Sequence, residues 1–323
     1  MGHTRCYRDG KLHAENFPVA EVSDYAADPA NTVWFDVCRP NEQDLATIQE
    51  ELGLHALAVE DVMQPGQRPK VDHYPEHLFV VVYAIAIDGD TNELTAHEVN
   101  LFVTKNVVVT VREDESFDID DVMRRWDVEP KLAGSGVAFL LHGVLDYAVD
   151  SHFGAMQQLD TQVDALEELV LSDREPDLVQ QRRMFELRKS VVNVRRLVLP
   201  MREVVNTFMR RDLELVDGPI TPYFQDVYDH VLRVGEWADS LRDLLSNIHD
   251  ARLAQRSNRL NVVTKKVTSW AAIIAVPTAV TGFYGQNLPY PGFQASWGFW
   301  VSTAIILVAS GGLYLTFKAK DWL

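Results

Sequence analysis

One stretch constrains the fold of this chain more than any other: residues 267–317 contain no Asp, Glu, Lys, Arg or His. Lys266 precedes these 51 residues and Lys318 follows them. Because a transmembrane helix needs about 20 apolar residues, the stretch is long enough for two spans joined by a short loop. It excludes an ordinary soluble enzyme and predicts a protein that crosses a membrane twice near its C-terminus.

The rest of the chain is strongly acidic. Of the 30 basic and 47 acidic residues, only Lys318, Lys320 and Asp321 follow the apolar stretch, so 28 and 46 precede it, a net charge of −18. This charge would repel a polyanion, so we expect no nucleic-acid partner, whereas divalent cations or basic partners fit. Cys6 and Cys38 are too few for a disulfide framework and indicate reduced cytosolic thiols.

Residues 1–135 are predicted to form an α/β domain. β-rich runs separated by turn residues predict strands at Thr32–Val37, Leu78–Ile87, Val99–Thr104 and Val107–Arg112. Helical patterns lie between the first two of these runs, at Asn41–Leu52 and His55–Met63. Pro65, Gly66 and Pro69 then interrupt the chain.

Residues 136–222 are predicted to form a helical hairpin. Apolar residues recur every three or four positions over Val137–Leu171, and a second helix is predicted over Pro176–Asp212. Pro200 should kink the second helix. The charged runs on this pair are explained by solvated helix faces.

Residues 223–286 predict one very long helix. From Tyr223 only Gly235 interrupts the helical pattern before Pro277, and Asn287 is the first plausible stop, which gives a length of roughly 95 Å at about 1.5 Å per residue. A helix this long needs partners, so an oligomeric bundle is expected. The remaining boundaries are span one at about 267–286, a loop at 287–296, span two at 297–317 and a basic tail at 318–323.

A stripe of small or polar residues follows this helix at steps of three and four. Its members are Asp250, Ala254, Ser257, Asn261, Thr264, Thr268, Ala271, Ala275 and Thr278. One interpretation is a helix-packing seam, the commoner role of small residues in membrane helices. The other is a water-filled pore around a symmetry axis. Asp250, Ser257 and Asn261 favour the pore, because they continue the stripe outside the membrane.

Basic residues flank both predicted spans on the same side. Lys265 and Lys266 precede span one, and Lys318 and Lys320 follow span two. The positive-inside rule therefore predicts that both termini and the acidic domain are cytoplasmic. The first residues form no apolar run, so no signal peptide is expected. The predicted location is the inner or plasma membrane.

Span one ends in Gly285-Gln286-Asn287, which alone is a weak motif, since Asn287 could simply end a helix. Together with several ordered blocks, however, the chain closely resembles the CorA family of magnesium channels over nearly its whole length. These blocks are Leu57–Asp61, Gln67–Lys70, Pro200–Glu203, Pro222–His230 and the ending Asp321-Trp322-Leu323.

The resemblance implies a funnel-shaped homopentamer with an αβα cytoplasmic domain, a long helical stalk and two C-terminal transmembrane helices. It implies passive uptake of Mg²⁺, often also of Co²⁺ and Ni²⁺, and no enzymatic activity. It places the selectivity filter on Tyr284, Gly285, Gln286 and Asn287. It places the pore lining on Asp250, Ser257, Asn261, Thr264, Ala271, Ala275 and Thr278.

The resemblance also implies regulatory metal sites between subunits. One would pair Asp61 with Asp226 of a neighbouring protomer, and a second would use Glu60 and Asp146. Taken without the family, these acids are ordinary solvated residues, and Asp226 suits a helix N-terminus. Two carboxylates that meet across an interface repel each other unless a cation lies between them.

Two departures from the family pattern concern the choice of ion. The middle filter residue is Gln286 rather than Met, and the loop Leu288–Gly292 has no acidic residue. Related zinc transporters of the ZntB type also vary at this middle position, so a zinc transporter on the same scaffold is the alternative. Outside transport, the alternatives are a membrane-anchored acidic enzyme or a scaffold. The sequence contains no phosphate-binding loop, His-Glu-x-x-His motif or nucleophile elbow that would support an enzyme.

Overall fold

The computed structural model describes residues 2–171, 177–210, 215–286 and 289–323. The chain forms two compact units, Met1–Ser246 and Asn247–Leu323. Among these residues, the seven strands lie in the first unit and the two uncharged apolar segments lie in the second.

The first unit is built on a seven-stranded mixed sheet. Its strands are β1 (Thr4–Arg8), β2 (Lys11–Glu15), β3 (Asn31–Cys38), β4 (Lys70–His73), β5 (Leu78–Ile87), β6 (Leu94–Val103) and β7 (Val107–Arg112). The strand order is β2-β1-β3-β7-β6-β5-β4. Strands β3 and β7 are parallel, and all other neighbouring pairs are antiparallel.

The described residues form eight α-helices. They are α1 (Val22–Ala26), α2 (Glu42–Leu52), α3 (Ala56–Val62), α4 (Ile119–Val128), α5 (Val137–Leu171), α6 (Leu178–Phe208), α7 (Thr221–Tyr284) and α8 (Ser296–Ala319). Local capping explains two of the starts. Asn41 and Asp44 form a capping box at α2, and the His55 ring accepts a hydrogen bond from the Leu57 N–H at α3.

Both faces of the sheet are buried, as the alternation along β3 shows. Val33 and Phe35 lie in a core cluster with Leu45 of α2 and Ala58 of α3. Trp34 points to the opposite face, where its ring lies 4.8 Å from that of Trp126 of α4. Because successive side chains in a strand alternate between faces, helices cover both sides of the sheet.

The predicted N-terminal sheet domain, long helix and two apolar C-terminal helices are confirmed. Helix α7 has 64 residues and α8 has 24, and both are long and apolar enough to cross a membrane. Helix α7 begins at Thr221 rather than Tyr223, because Pro222 is tolerated in a first helical turn, where its missing N–H costs nothing. It ends at Tyr284, before the predicted stop at Asn287, which lies outside the described residues.

Several predicted boundaries were wrong. Strand β6 begins at Leu94 rather than Val99, because its polar first half pairs with β5 as far as Ile87. The short strands β1, β2 and β4 were not predicted. Helix α6 begins at Leu178, after the capping box of Asp177 and Gln180. Its predicted limits, Pro176 and Asp212, lie outside the described residues.

Candidate functional site

The loop between α3 and β4 follows Glu60 and Asp61 and is tied to the sheet through a buried carboxylate. Glu98 of β6 accepts hydrogen bonds from the Gly66 N–H at 2.7 Å and from the Tyr83 hydroxyl at 2.5 Å. The single Tyr83 O–H is shared between this carboxylate and the Gln67 carbonyl oxygen. These bonds fix a segment with two prolines and a glycine, and so position Asp61 at its start.

Asp61 is paired with a lysine of its own chain. The Lys70 Nζ atom lies 2.6 Å from Asp61 Oδ2 and 2.7 Å from Asp72 Oδ2. Burial alone would lower the pKa of Lys70, but its hydrogen bonds to the Asp61 and Asp72 carboxylates raise it. Lys70 is therefore a fixed positive charge between two carboxylates. Glu60 is exposed and accepts a hydrogen bond from Gln64 at 3.2 Å.

Asp146 has a similar arrangement on α5. The Arg125 Nη1 atom lies 2.6 Å from Asp146 Oδ2 and 2.7 Å from Asp150 Oδ2, and its Nε donates to Asp121 at 3.1 Å. Burial would lower the pKa of Arg125, but hydrogen bonds to these three carboxylates raise it. Arg125 therefore joins the end of α4 to α5 and neutralises part of the charge around Asp146.

Asp226 lies in the second turn of α7 and is largely exposed. Its Oδ1 atom is 3.8 Å from Nε2 of His230, one turn further along the helix. Nearby, the His142 ring of α5 lies 5.6 Å from the Tyr223 ring and 5.7 Å from the Phe224 ring. Burial lowers the pKa of His142, although Asp146 and Asp226 both favour its protonated form. His142 thus lies within the electrostatic reach of two of the four predicted acids.

The four acids do not form one metal centre within a single chain. In the part of the chain that the structure describes, no three His, Cys, Asp or Glu side chains are grouped so that they could hold a metal ion. Asp61 and Asp146 each contact a basic side chain instead. A divalent cation bound there would have to compete with Lys70 or Arg125, or be shared with another protomer.

The predicted pore stripe is uncovered in the single chain. All seven predicted lining residues of α7 are exposed: Asp250, Ser257, Asn261, Thr264, Ala271, Ala275 and Thr278. Ser269, which lies off the stripe, is completely buried. The Thr278 hydroxyl donates to the Ile274 carbonyl oxygen at 3.1 Å. This bond gives the hydroxyl a hydrogen-bond partner in an otherwise apolar segment.

The end of α7 is shaped by a close glycine contact. The Gly285 N–H donates to the Thr281 carbonyl oxygen at 2.8 Å, and a Cβ atom at position 285 would lie 3.0 Å from that same oxygen. The Gln286 N–H donates to the Phe283 carbonyl oxygen at 3.3 Å. Of the four predicted filter residues, Tyr284, Gly285 and Gln286 are therefore placed, whereas Asn287 lies outside the described residues.

Aromatic side chains hold the following loop against this helix end. The Tyr290 hydroxyl donates to the Tyr284 carbonyl oxygen at 3.1 Å, and the rings of these two tyrosines lie 5.0 Å apart. The Tyr290 ring also lies 5.3 Å from that of Phe293. The segment after the predicted filter is thus clamped by packing and one hydrogen bond rather than by charge.

Sequence reasoning missed three residues of these clusters. The sequence places Lys70 in a family block without predicting its contacts, and it predicts no role for Arg125 or His142. A signal existed for Arg125, because Asp121 and Arg125 have the i, i+4 spacing of a helical ion pair. Lys70 and Asp61 belong to different elements, so their contact depends on the tertiary fold.

A sheet domain, a helix that continues into an apolar segment and a second apolar helix fit the class of two-span membrane proteins with a large domain outside the membrane. The family model described as "CorA-like Mg²⁺ transporter protein" matches residues 29–319 of this chain. The chain belongs to this family of divalent-cation transporters, as the sequence blocks predicted.

Individual relatives agree with this assignment. The chain is 30% identical to the cobalt/magnesium transport protein CorA of Thermotoga maritima, covering 99% of this chain and 95% of the relative. It is 25% identical to the zinc transport protein ZntB of Pectobacterium carotovorum, covering 83% and 80%. The structure of the CorA magnesium transporter of Methanocaldococcus jannaschii has the same fold, with a TM-score of 0.79, 19% identity and coverage of 99% and 98%.

Proposed function

We propose that this protein is a homopentameric channel that conducts Mg²⁺ passively into the cell, and also Co²⁺ and Ni²⁺. Family membership over residues 29–319 is the observation that carries the proposal. The exposed small and polar stripe of α7 supports it, because five such helices around an axis would present oxygen atoms and small groups to a water-filled lumen. The large domain and both termini are then cytoplasmic.

The proposed filter suits a strongly hydrated ion. Mg²⁺ loses its water reluctantly, and amide oxygens at Gln286 and Asn287 can accept hydrogen bonds from that water without stripping it. Neutral oxygens also bind weakly enough to release the ion. A membrane potential of 100 mV supplies about 4.6 kcal/mol for two inward charges, so no other energy source is needed.

Regulation is proposed at the acidic clusters. Cytoplasmic Mg²⁺ shared between Asp61 of one protomer and Asp226 of its neighbour would hold the assembly closed, with Glu60 and Asp146 forming a second site. Since a ligand shifts an equilibrium only by binding one state better, loss of the ion would favour an open arrangement. The exposure of Asp226 supports its role in an interface.

Zinc transport is the second candidate. It is favoured by Gln286 at the middle filter position and by the similarity to a zinc transport protein. The chain is more similar to a cobalt/magnesium transporter, at 30% against 25% identity, so Mg²⁺ is the preferred cargo.

Ion flux into liposomes tests the proposal. The purified full-length protein should carry Mg²⁺ into vesicles that contain a Mg²⁺-sensitive dye, and Co²⁺ and Ni²⁺ should compete. Asn287→Ala should abolish the flux without changing the oligomeric mass. Zn²⁺ uptake that Mg²⁺ does not inhibit would favour the second candidate, and no ion flux at all would reject both.

A further inference from the structure

The charge of this chain reverses sign along the sequence. Of its 30 basic and 47 acidic residues, seven basic and one acidic lie in residues 251–323, which leaves 23 and 46 for residues 1–250. Four of the seven are lysines at the very edges of the uncharged stretch: Lys265, Lys266, Lys318 and Lys320. These four are called the boundary lysines below.

The second unit brings the boundary lysines to one end of the two apolar helices. Trp322 follows α8, and the Lys265 Nζ atom of α7 lies 6.0 Å from the centre of the Trp322 ring. The Trp322 ring in turn stacks on that of Phe317, with ring centres 5.7 Å apart, and the Trp322 backbone N–H donates to the Phe317 carbonyl oxygen at 2.9 Å. The C-terminal segment is therefore folded back so that its lysines lie on the same side as those of α7.

The boundary lysines are exposed and carry uncompensated charge. All four are exposed, and within the described residues no ion pair joins any of them to a carboxylate. Asp321 is the only acidic residue of the sequence between positions 251 and 323. In the described structure it forms no ion pair with a boundary lysine. Lys318 and Lys265 instead contact the rings of Tyr314 and Trp322, at 5.9 and 6.0 Å.

Their height relative to a membrane follows from the sequence. Lys266 directly precedes the uncharged stretch and Lys318 directly follows it. In a bilayer crossed by this stretch, both ammonium groups would lie at the edge of the hydrocarbon layer. Trp322 is of the residue type that prefers this depth. Phosphate groups of phospholipids occupy the same layer, and clusters of four to eight basic residues beside a transmembrane helix attract anionic lipids.

We propose that the boundary lysines and Trp322 form a binding site for a phospholipid with an anionic headgroup. The four ammonium groups contact the phosphate and glycerol oxygens of the headgroup, while the Trp322 and Phe317 rings contact the upper part of the acyl chains. The site serves to anchor the ends of the two apolar helices in one leaflet. It is distinct from the proposed filter at Tyr284–Asn287, which lies at the other end of span one.

The test measures lipid preference rather than transport. Full-length protein is reconstituted in phosphatidylcholine vesicles, and spin-labelled phosphatidylglycerol and phosphatidylcholine report the fraction of lipid that the protein immobilises. Wild type should prefer phosphatidylglycerol, and the preference should weaken with salt. Replacing all four boundary lysines by Gln should abolish the preference for phosphatidylglycerol. Each lysine that contacts the headgroup should contribute about fivefold to that preference.

A matched control removes four exposed charges from the first unit, through Lys11→Gln, Lys105→Gln, Lys131→Gln and Arg196→Gln. This variant should keep the wild-type preference. Equal loss in both variants, or no preference in wild type, overturns the proposal. Displacement by soluble glycerol phosphate also overturns it, because the site would then bind free phosphate. Where the quadruple variant does not assemble, Lys318→Gln with Lys320→Gln gives the same comparison. Ion flux does not enter the readout, so this proposal and the transport proposal can fail separately.

Discussion

Lys70 lies where a cation between Asp61 and Asp72 would lie, at 2.6 and 2.7 Å from their carboxylates. In the proposed regulatory site, this internal cation competes with Mg²⁺ for Asp61. Arg125 has the corresponding position beside Asp146. A chain that carries its own counter-ions in this way should respond only to a relatively high Mg²⁺ concentration.

Lys70→Met should therefore increase the Mg²⁺ affinity of the acidic site. Met keeps the side-chain packing on Phe79, above whose ring the Lys70 Nζ atom lies at 5.5 Å, but removes the charge. Because the pair is partly exposed, the effect should be about 1 kcal/mol, a roughly fivefold lower midpoint. The measurement is protection of the full-length protein from protease as a function of Mg²⁺ concentration.

Arg195→Met is the control for this change, because it removes a similar ion pair, with Asp239 at 2.6 Å. Its midpoint should equal that of wild type. If Lys70→Met has the wild-type midpoint, or both variants shift alike, Lys70 does not compete with the ion.

His152 makes stability depend on pH. It is fully buried, its Nε2 atom lies 2.8 Å from the Tyr83 carbonyl oxygen, and burial lowers its pKa to about 4. In the unfolded chain the pKa is about 6.5. Between these values only the unfolded chain binds the proton, so the free energy of unfolding decreases as the pH falls through this range. The total contribution of this residue should be about 3 kcal/mol at pH 4.

Urea unfolding of the full-length protein in detergent at pH 7 and pH 4.5 measures this contribution. His152→Gln cannot titrate but can still donate to the Tyr83 carbonyl oxygen. The variant should lose less stability than wild type between the two pH values. Equal losses would assign the acid sensitivity to other groups.

At the scale of elements, apolar patterns predicted the bounds of the helices and strands that pack in the core. The helix α5 has the predicted bounds because its apolar residues recur at helical spacing over a long run, and the strands β5 and β7 have them because each is a nearly continuous apolar run. The helices α2 and α3 begin one residue late, since Asn41 and His55 cap them. The missed strands β2 and β4 are short and polar and lie at the two edges of the sheet, where only one neighbour and no apolar alternation specifies them.

The end of α7 provides a prediction at this scale. A methyl group at Gly285, just past the helical residues, would meet the Thr281 carbonyl oxygen at 3.0 Å, whereas one at Gly282, inside the helix, would meet nothing within 4 Å outside the backbone of its own helix. Because the contact is with backbone, the helix end must move, at a cost of about 1–3 kcal/mol. Gly285→Ala should lower Mg²⁺ flux into liposomes several-fold, and Gly282→Ala should not. Equal flux in both variants would mean that the geometry of residue 285 does not limit conduction.

At the scale of the whole molecule, assembly of several copies of the chain would bring their acidic residues close together. Residues 1–250 carry 23 basic and 46 acidic side chains, a net charge of −23, so like copies repel one another. The sequence predicted the four regulatory acids only through the family resemblance, because no single-chain pattern brings Asp61 near Asp226. The tertiary contacts of Asp61, Asp146 and His142 could not be predicted, since they join elements far apart in sequence.

A charge reversal at Asp226 tests whether the ion acts between protomers. In the proposed site Mg²⁺ bridges Asp61 and Asp226, and Asp226→Lys would replace the bridge by a direct ion pair to the neighbouring Asp61. The full-length wild type should resist protease only when Mg²⁺ is present, whereas the variant should resist equally with and without the ion.

Asp229→Lys places the same charge nearly one turn further along α7, where the native carboxylate accepts a hydrogen bond from Gln225 at 2.9 Å. This control should still need Mg²⁺, because its lysine is not at the proposed bridge. If Asp226→Lys also needs Mg²⁺, the regulatory ion does not bind at Asp226. If both variants lose the need, the cause is the lower net charge of the assembly rather than a specific bridge.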